Sequence, residues 1–328
     1  MLRFLLRRLF HGLLILLGVS FLTFFLINQS PGDFLDRKRL DPQVPREFIE
    51  AEIQRLHLDQ PWPVVYCFWL KDIVTRLDFG RSFEYKQPVF DVLAGRVLNT
   101  LILSFCSVVF AWMLAIPLGI IAGYRQYSLV DKTASAVAFL GVSVPNVFLA
   151  LLAIFLAART GWFPTGGLTD QRNWPTMSTA ERMLDMAHHL ILPTIVLGTG
   201  MMAVLMRQMR GQLLDVLQAD YIRTARAKGV GERALLLKHA VRNAINPLIT
   251  IFGFSLSTLL SGSVLVEKVM SYPGLGRLTV DAMFNKDIYL VMASVLVATA
   301  MLVLGNLIAD LLLAWSDPRI KLEDRATS

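Results

Sequence analysis

The sequence predicts an all-α integral membrane protein with six transmembrane helices. Of its 328 residues, 55% are hydrophobic and only 17% charged, and the mean hydropathy is +0.54. A soluble domain of this length carries more charge and shorter apolar runs. Several runs here reach the ~20 residues that cross a hydrocarbon core as a helix. Ionisable residues are nearly absent from them, as expected when each one at a helix centre costs ~2.5–3.5 kcal/mol on insertion.

The runs lie at about 9–28, 97–123, 133–158, 188–206, 244–266 and 288–315. The first follows Arg3, Arg7 and Arg8, the pattern of a secretory signal. It is longer than a signal core, and Asn28-Gln29-Ser30-Pro31 offers no small-x-small cleavage site, so it reads as a retained span. Asp310 is the one carboxylate placed inside a span, near the end of the last. Pro117, Pro145, Pro193 and Pro247 fall in or at the start of spans two to five. Proline is tolerated in lipid where neighbours satisfy the freed carbonyl; kinked packing is the plainer reading and a moving hinge the other.

The net charge of +7 gathers at the ends of apolar runs, which sets orientation and does not make a nucleic-acid surface. With the N-terminus in the cytoplasm, that side receives Arg3, Arg7, Arg8, Arg125, Lys132 and the basic segment 207–243. Both termini then lie inside, with a tail over 316–328. Region 29–96 reads as a small external helical subdomain, with helices from Pro45 to Leu58 and Pro61 to Leu77. Pro88 to Leu98 leads into the second span, and 97–315 forms the core.

No phosphate-binding Gly-x-x-x-x-Gly-Lys-Ser/Thr loop is present, so any ATP is hydrolysed by another chain. Leu260-Ser261-Gly262-Ser263 lies inside an apolar span, out of context for an ATPase signature. His188-His189 faces two directions on a helix and lacks a second ligand pair for a metal. Cys67 and Cys106 make no disulfide framework. With no convincing repeat, and with Asp310 read as a packed, hydrogen-bonded helix end ahead of a proton relay, a stand-alone secondary transporter or channel is the weaker alternative. Small polar residues in the spans, Asn146, Ser255, Thr258 and Ser261, mark either close helix packing or a solute path.

The most informative stretch follows the fourth span. Helix formers run to Gly229, which can end a helix in a left-handed conformation. Arg223, Arg226 and Lys228 occupy the last turns, where cations complement the helix dipole. Leu213, Leu217 and Tyr221, at four-residue steps, are expected on one face. A second helix from Glu232 to Asn243 returns to the fifth span. Spacing alone leaves two readings open, a rigid knob that transmits force or a solvated basic loop that only fixes topology.

The string Asp220-Tyr221-Ile222-Arg223-Thr224-Ala225-Arg226-Ala227-Lys228-Gly229, followed by His239-Ala240-Val241-Arg242-Asn243-Ala244, resembles the EAA loop of binding-protein-dependent ABC importer permeases. It is most similar to the dipeptide, oligopeptide and nickel branch, in which Arg-Thr-Ala stands where the general loop has Glu-Ala-Ala. Pro31-Gly32-Asp33, Asp78-Phe79-Gly80-Arg81-Ser82, Tyr272-Pro273-Gly274-Leu275-Gly276-Arg277 and Asp317-Pro318-Arg319 extend the likeness over essentially the whole chain.

The resemblance implies a type I importer permease fold of the first-permease type, in the cell inner (cytoplasmic) membrane. It implies a second homologous permease, two cytoplasmic ATPase subunits and a periplasmic or lipid-anchored solute-binding protein as partners. Membrane lipid surrounds the assembly and nucleic acid plays no part. This chain would bind no cofactor, ATP and Mg belonging to the ATPases. Asp220, Tyr221, Arg223, Thr224, Ala225, Arg226, Lys228 and Gly229 would form the coupling helix. The expected cargo is a di- or oligopeptide, with nickel chelates and glutathione as family alternatives.

Overall fold

The computed structural model describes residues 2–29, 45–55 and 60–316. The Pro31-Gly32-Asp33 and Asp317-Pro318-Arg319 matches, and the end of the helix expected up to Leu58, lie outside the described residues. Among the described residues the chain is helical, with α1 (Leu2–Gln29), α2 (Arg46–Arg55), α3 (Trp62–Arg76), α4 (Val89–Tyr124), α5 (Leu129–Ser143), α6 (Asn146–Thr160), α7 (Thr179–Gln218) and α8 (Asp220–Ala227). There follow α9 (Glu232–Ala234), a π-helical turn (Leu235–Ala240), α10 (Val241–Ala244), α11 (Asn246–Val269), α12 (Leu275–Phe284) and α13 (Ile288–Ser316). This is what lipid imposes, because a helix satisfies its backbone N–H and C=O groups within one segment.

Among the described residues, Leu5–Gln29, Val89–Tyr124, Thr179–Gln218 and Ile288–Leu311 are long and apolar enough to cross a membrane. The expected third span, 133–158, is not one helix: α5 and α6 meet at 103°. Pro145 is the cause. It lacks a backbone donor and pushes the residue before it out of the α region. Val144 accordingly sits at φ −90°, ψ 123°. Pro117 and Pro193 stay inside the continuous α4 and α7, and Pro247 occupies the first turn of α11, where its missing N–H is not needed. Counted as one bent span, α5 and α6 would make a fifth.

The apolar run 97–123 fills the C-terminal part of α4, whose start at Val89 matches the expected lead-in from Pro88, and 188–206 is the middle of a longer rod. Helix α7 has 40 residues. At the α-helical rise such a rod reaches roughly 60 Å, about twice the thickness of a hydrocarbon core. A capping box starts this helix, satisfying two orphan donors at once. Ser178 Oγ accepts from the Glu181 N–H, and Glu181 Oε2 accepts from the Ser178 N–H at 2.7 Å.

The chain divides into two compact units. In the first, Met1–Thr100 with Pro273–Val303, α3 lies along α1. Tyr66 and Trp62 meet Phe21, Phe24 and Phe25 edge-on or tilted, and the Ser20 and Tyr66 hydroxyls are hydrogen-bonded at 2.9 Å. The Asp78-Phe79-Gly80-Arg81-Ser82 motif builds a short hairpin closed by Ser82 N–H to Gln87 O at 2.9 Å. Gly80, at φ +90°, lies where an added Cβ would fall 2.8 Å from the Tyr289 ring. The fully buried Asp287 caps α13 and grips this hairpin. Its Oδ2 accepts from Ser82 Oγ at 2.6 Å, Phe83 N–H at 2.9 Å and Glu84 N–H at 3.2 Å. The Pro273-Gly274-Leu275 stretch is held similarly, with Asn99 Nδ2 donating to Pro273 O and the Leu275 N–H to Thr100 Oγ1, each at 2.8 Å.

In the second unit, Leu101–Tyr272 with Leu304–Ser328, α7 is the element on which others lie. Small residues let helices approach in the absence of a hydrophobic drive between them. A Cβ on Gly119 would stand 2.7 Å from Met209 Cβ, one on Gly198 2.5 Å from the Phe110 ring, and one on Gly141 3.2 Å from Thr199. These contacts press α4 and α5 against α7.

Candidate functional site

The polar stretch between α7 and α11 forms a compact projection whose residues are mostly exposed on one side and anchored on the other. Helix α7 stops at Gln218 because Ala219 turns extended, at φ −67° and ψ 146°. The chain then starts α8 in a new direction. Leu213, Leu217 and Tyr221 therefore do not share one helix face, contrary to the sequence expectation. Leu213 is buried, whereas Tyr221, beyond the break, is exposed. The residue types announce this break only weakly: Gln218 and Ala219 suit a helix interior, while Asp220 is a poor interior residue that favours a first turn.

Ile222 anchors α8. It is fully buried with Met209, Leu213, Leu235, Ala240, Ala244 and Leu248, and Ala225 and Val230 lie against the same cluster. The helix ends as the glycine predicts. Gly229 sits at φ +79°, the Val230 N–H reaches Ala225 O at 3.2 Å and the Gly229 N–H reaches Arg226 O at 3.0 Å. These two bonds make a Schellman cap, and Ala225 and Val230, the two positions that carry its usual apolar contact, both pack on the same cluster. An added Cβ on Gly229 would meet nothing within 4 Å. The residue is needed for its backbone and not for lack of space.

Two polar contacts close the projection. Arg226 Nε and Nη2 donate to the two Glu232 oxygens at 2.7 and 3.4 Å, across the glycine turn. This pairing holds the guanidinium pKa above its ordinary value. Asn243 Nδ2 donates to Tyr221 Oη at 3.0 Å, tying the return segment to the start of α8. Arg223 lies 3.5 Å from Asp220, with both side chains in water. Such an arrangement has small energetic weight. The return segment expected as one helix from Glu232 to Asn243 is interrupted by the π-helical turn, a wider coil that recurs at functional sites. It presents Leu237, 65% exposed, on the outer side.

The predicted coupling residues are thus brought together, with distinct parts. Tyr221, Arg223, Thr224 and Lys228 are exposed, Ala225 is half-buried, Arg226 is exposed but paired with Glu232, and Gly229 shapes the turn. Sequence reasoning missed Ile222, Glu232 and Asn243. The Arg226–Glu232 and Tyr221–Asn243 separations match no helical spacing, so only the folded turn reveals them.

The possible pore residues are not gathered with these. Asn146 is half-buried at the start of α6, and Ser255 is buried, donating to Ile251 O at 2.8 Å within its own helix. Thr258 and Ser261 lie on α11, but their side chains fall outside the described residues. Asp310 is buried on α13. His188 Nε2 and His189 Nδ1 make backbone contacts, to Trp162 O at 2.9 Å and Asp185 O at 2.8 Å. Among the described residues no group of three or more metal-ligating side chains occurs.

The long apolar helices among the described residues are those of a multi-pass membrane protein. The family model described as binding-protein-dependent transport system inner membrane component matches residues 115–322, and its N-terminal companion matches residues 1–104. The chain belongs to this family.

It is 41% identical to the oligopeptide transport system permease protein AppB of Bacillus subtilis over 97% of this chain and 99% of that one. The dipeptide transport system permease protein DppB of Escherichia coli K12 is 35% identical over 98% of this chain and 99% of its own. The glutathione transport system permease protein GsiC of Escherichia coli O1:K1 is 36% identical, again over 98% and 99%. Among solved structures, an inward-facing MetNI methionine ABC transporter matches with a TM-score of 0.53 at 21% identity, over 69% of this chain and 96% of that one. That likeness concerns the fold.

Proposed function

We propose that this chain passes di- or oligopeptides through the inner membrane as one of two permeases of an ATP-driven importer, and that α8 is where the motor grips it. The observation that carries the reading is the construction of the projection. Tyr221, Arg223, Thr224 and Lys228 face outward from a helix fixed below by Ile222 and closed behind by the Gly229 cap. A solvated topology loop needs neither a fully buried anchor nor a two-bond cap.

A bundle is driven only by a ligand that binds its two conformations unequally. Two ATPase subunits, closing on ATP and parting after hydrolysis, supply that inequality through α8 and its counterpart on the second permease. ATP and Mg stay with those subunits. A solute-binding protein delivers cargo on the outer side, and both termini and the 207–243 segment face the cytoplasm. The names of the relatives support a peptide cargo, and glutathione is itself a small peptide.

Reconstitution tests the reading. Vesicles holding this permease, its partner permease and the ATPases should accumulate labelled peptide only with binding protein outside and ATP inside. Accumulation by this chain alone, without nucleotide, would establish the stand-alone carrier instead.

A further inference from the structure

The ion pair between α5 and α7 takes no part in the projection, yet it sits on the same rod. Asp131 is 3% exposed. Its Oδ1 accepts from Arg210 Nε at 2.6 Å and its Oδ2 from Arg210 Nη2 at 2.8 Å. This paired geometry fixes orientation as well as distance. The same carboxylate accepts from the Tyr127 N–H at 2.9 Å and Ser135 Oγ at 3.2 Å. Tyr127 holds φ +63°, and Ser128 Oγ caps α5 by accepting from the Asp131 N–H. One buried group thus joins the α4–α5 turn, the start of α5 and the shaft of α7.

Arg210 precedes Gln218, the last residue of the continuous α7. The two lie about two turns apart, roughly 12 Å along the helix axis. Displacement of α8 moves this shaft, and the shaft packs against α5 along its length. The Asp131–Arg210 pair stands at the near end, Ala134 and Ala138 belong to one apolar cluster with Ala203, Leu205 and Met206, and Gly141 approaches Thr199 and Ala203 near the far end. The apolar contacts are non-directional and let two helices slide, whereas the paired ion contact fixes their register. Immediately beyond the far end comes the 103° break at Val144-Pro145 and the turn into α6.

We propose that Asp131 and Arg210 are positioning residues for transport, a strut that carries movement of α8 into the break between α5 and α6. The proposal rests on the coupling role given to α8 above. The strut ties the near end of α5 to α7, so that motion arriving along α7 is delivered to the break and is not lost in slippage of α5 along α7.

The test is hydrogen exchange on the assembled complex of both permeases and the ATPases, with and without a non-hydrolysable ATP analogue. It reads the α8 amides (Asp220–Ala227) and the Val144 amide, which donates to Leu140 O at 3.0 Å. In the wild type both should respond to nucleotide, Val144 by about tenfold, a typical size for coupling between sites. Asp131→Asn keeps the shape and one acceptor oxygen; there α8 should still respond, while the Val144 response falls to about twofold or less. Asp131→Glu should restore part of it.

An unchanged Val144 response in assembled Asp131→Asn complex would overturn the strut, as would parallel loss of both responses with loss of assembly. A wild-type complex in which α8 ignores nucleotide would instead overturn the coupling role of α8. The two failures are therefore told apart.

Discussion

Gly229 offers the sharpest perturbation because its surroundings separate two causes that are usually mixed. At φ +79° the backbone is left-handed, and a Cβ there meets nothing within 4 Å. Substitutions are therefore ranked by left-handed tolerance and not by bulk. Asn tolerates this region best among non-glycine residues. Gly229→Ala should weaken the cap by about 1–2 kcal/mol, the cost of the left-handed conformation for an ordinary L-residue. Gly229→Val, β-branched, should approach about 3 kcal/mol, the upper end for strained backbone. Gly229→Pro is excluded twice. Proline locks φ far from the left-handed region, at about −65°, and it has no N–H for the bond to Arg226 O.

A loss of about 1–2 kcal/mol is a factor of about 5–30 in an equilibrium. Amide exchange at Val230, the donor to Ala225 O, should accelerate by that factor in Gly229→Ala and by more in Gly229→Val. In the reconstituted importer, uptake should decline in the order Gly, Asn, Ala, Val, Pro, while the quantity of inserted chain holds constant. An order that followed side-chain volume, with Asn as harmful as Val, would refute the backbone account. Normal substrate-stimulated hydrolysis and uptake in Gly229→Val would refute the role of the cap.

Asp287→Ala should strip the acceptor from Ser82, Phe83 and Glu84 together. A drop in stability of about 3 kcal/mol and rapid exchange at the latter two amides would show it. Gly119→Val should part α4 from α7, since even a Cβ lies 2.7 Å from Met209 Cβ and 2.9 Å from Met206 O; loss of folded protein in detergent is the measurement, with Gly95→Ala, in open space, as the neutral control. Arg226 and Glu232 are each about half exposed. A double-mutant cycle on the two should give a coupling below about 1 kcal/mol by exchange at Gly229. A much larger value would mean that the pair, and not Ile222 and the cap, holds the projection.

Much of the fold was legible because lipid imposes simple rules. Apolar length marked the helices, and charge depletion marked their middles. The ends were less legible where α7 runs on past its apolar core, because polar helix looks like loop to a hydropathy reading. The break at Pro145 was visible as a proline, but Pro117 and Pro193 are prolines too. Which of them breaks a helix depends on the neighbours that take up the freed carbonyl. At the site, Gly229 announced its left-handed turn through its type and place. The turn at Ala219 had only Asp220, a poor interior residue, as a weak marker, and the bonds from Arg226 to Glu232 and from Asn243 to Tyr221 exist only once the turn has folded. Asp287 precedes an apolar run as an N-cap residue should. Its hold on Ser82 spans 205 residues, which no local pattern reveals.

Site-directed crosslinking addresses the central claim most directly. With Cys67 and Cys106 replaced, single cysteines at Arg223, Thr224 and Lys228 should each crosslink to an ATPase subunit in the assembled membrane complex, with yields that change on ATP binding. A cysteine at Met183, also exposed and near the start of α7, should not. Links from Met183 with none from the three α8 positions would contradict the assignment of α8 as the place where the motor holds the permease.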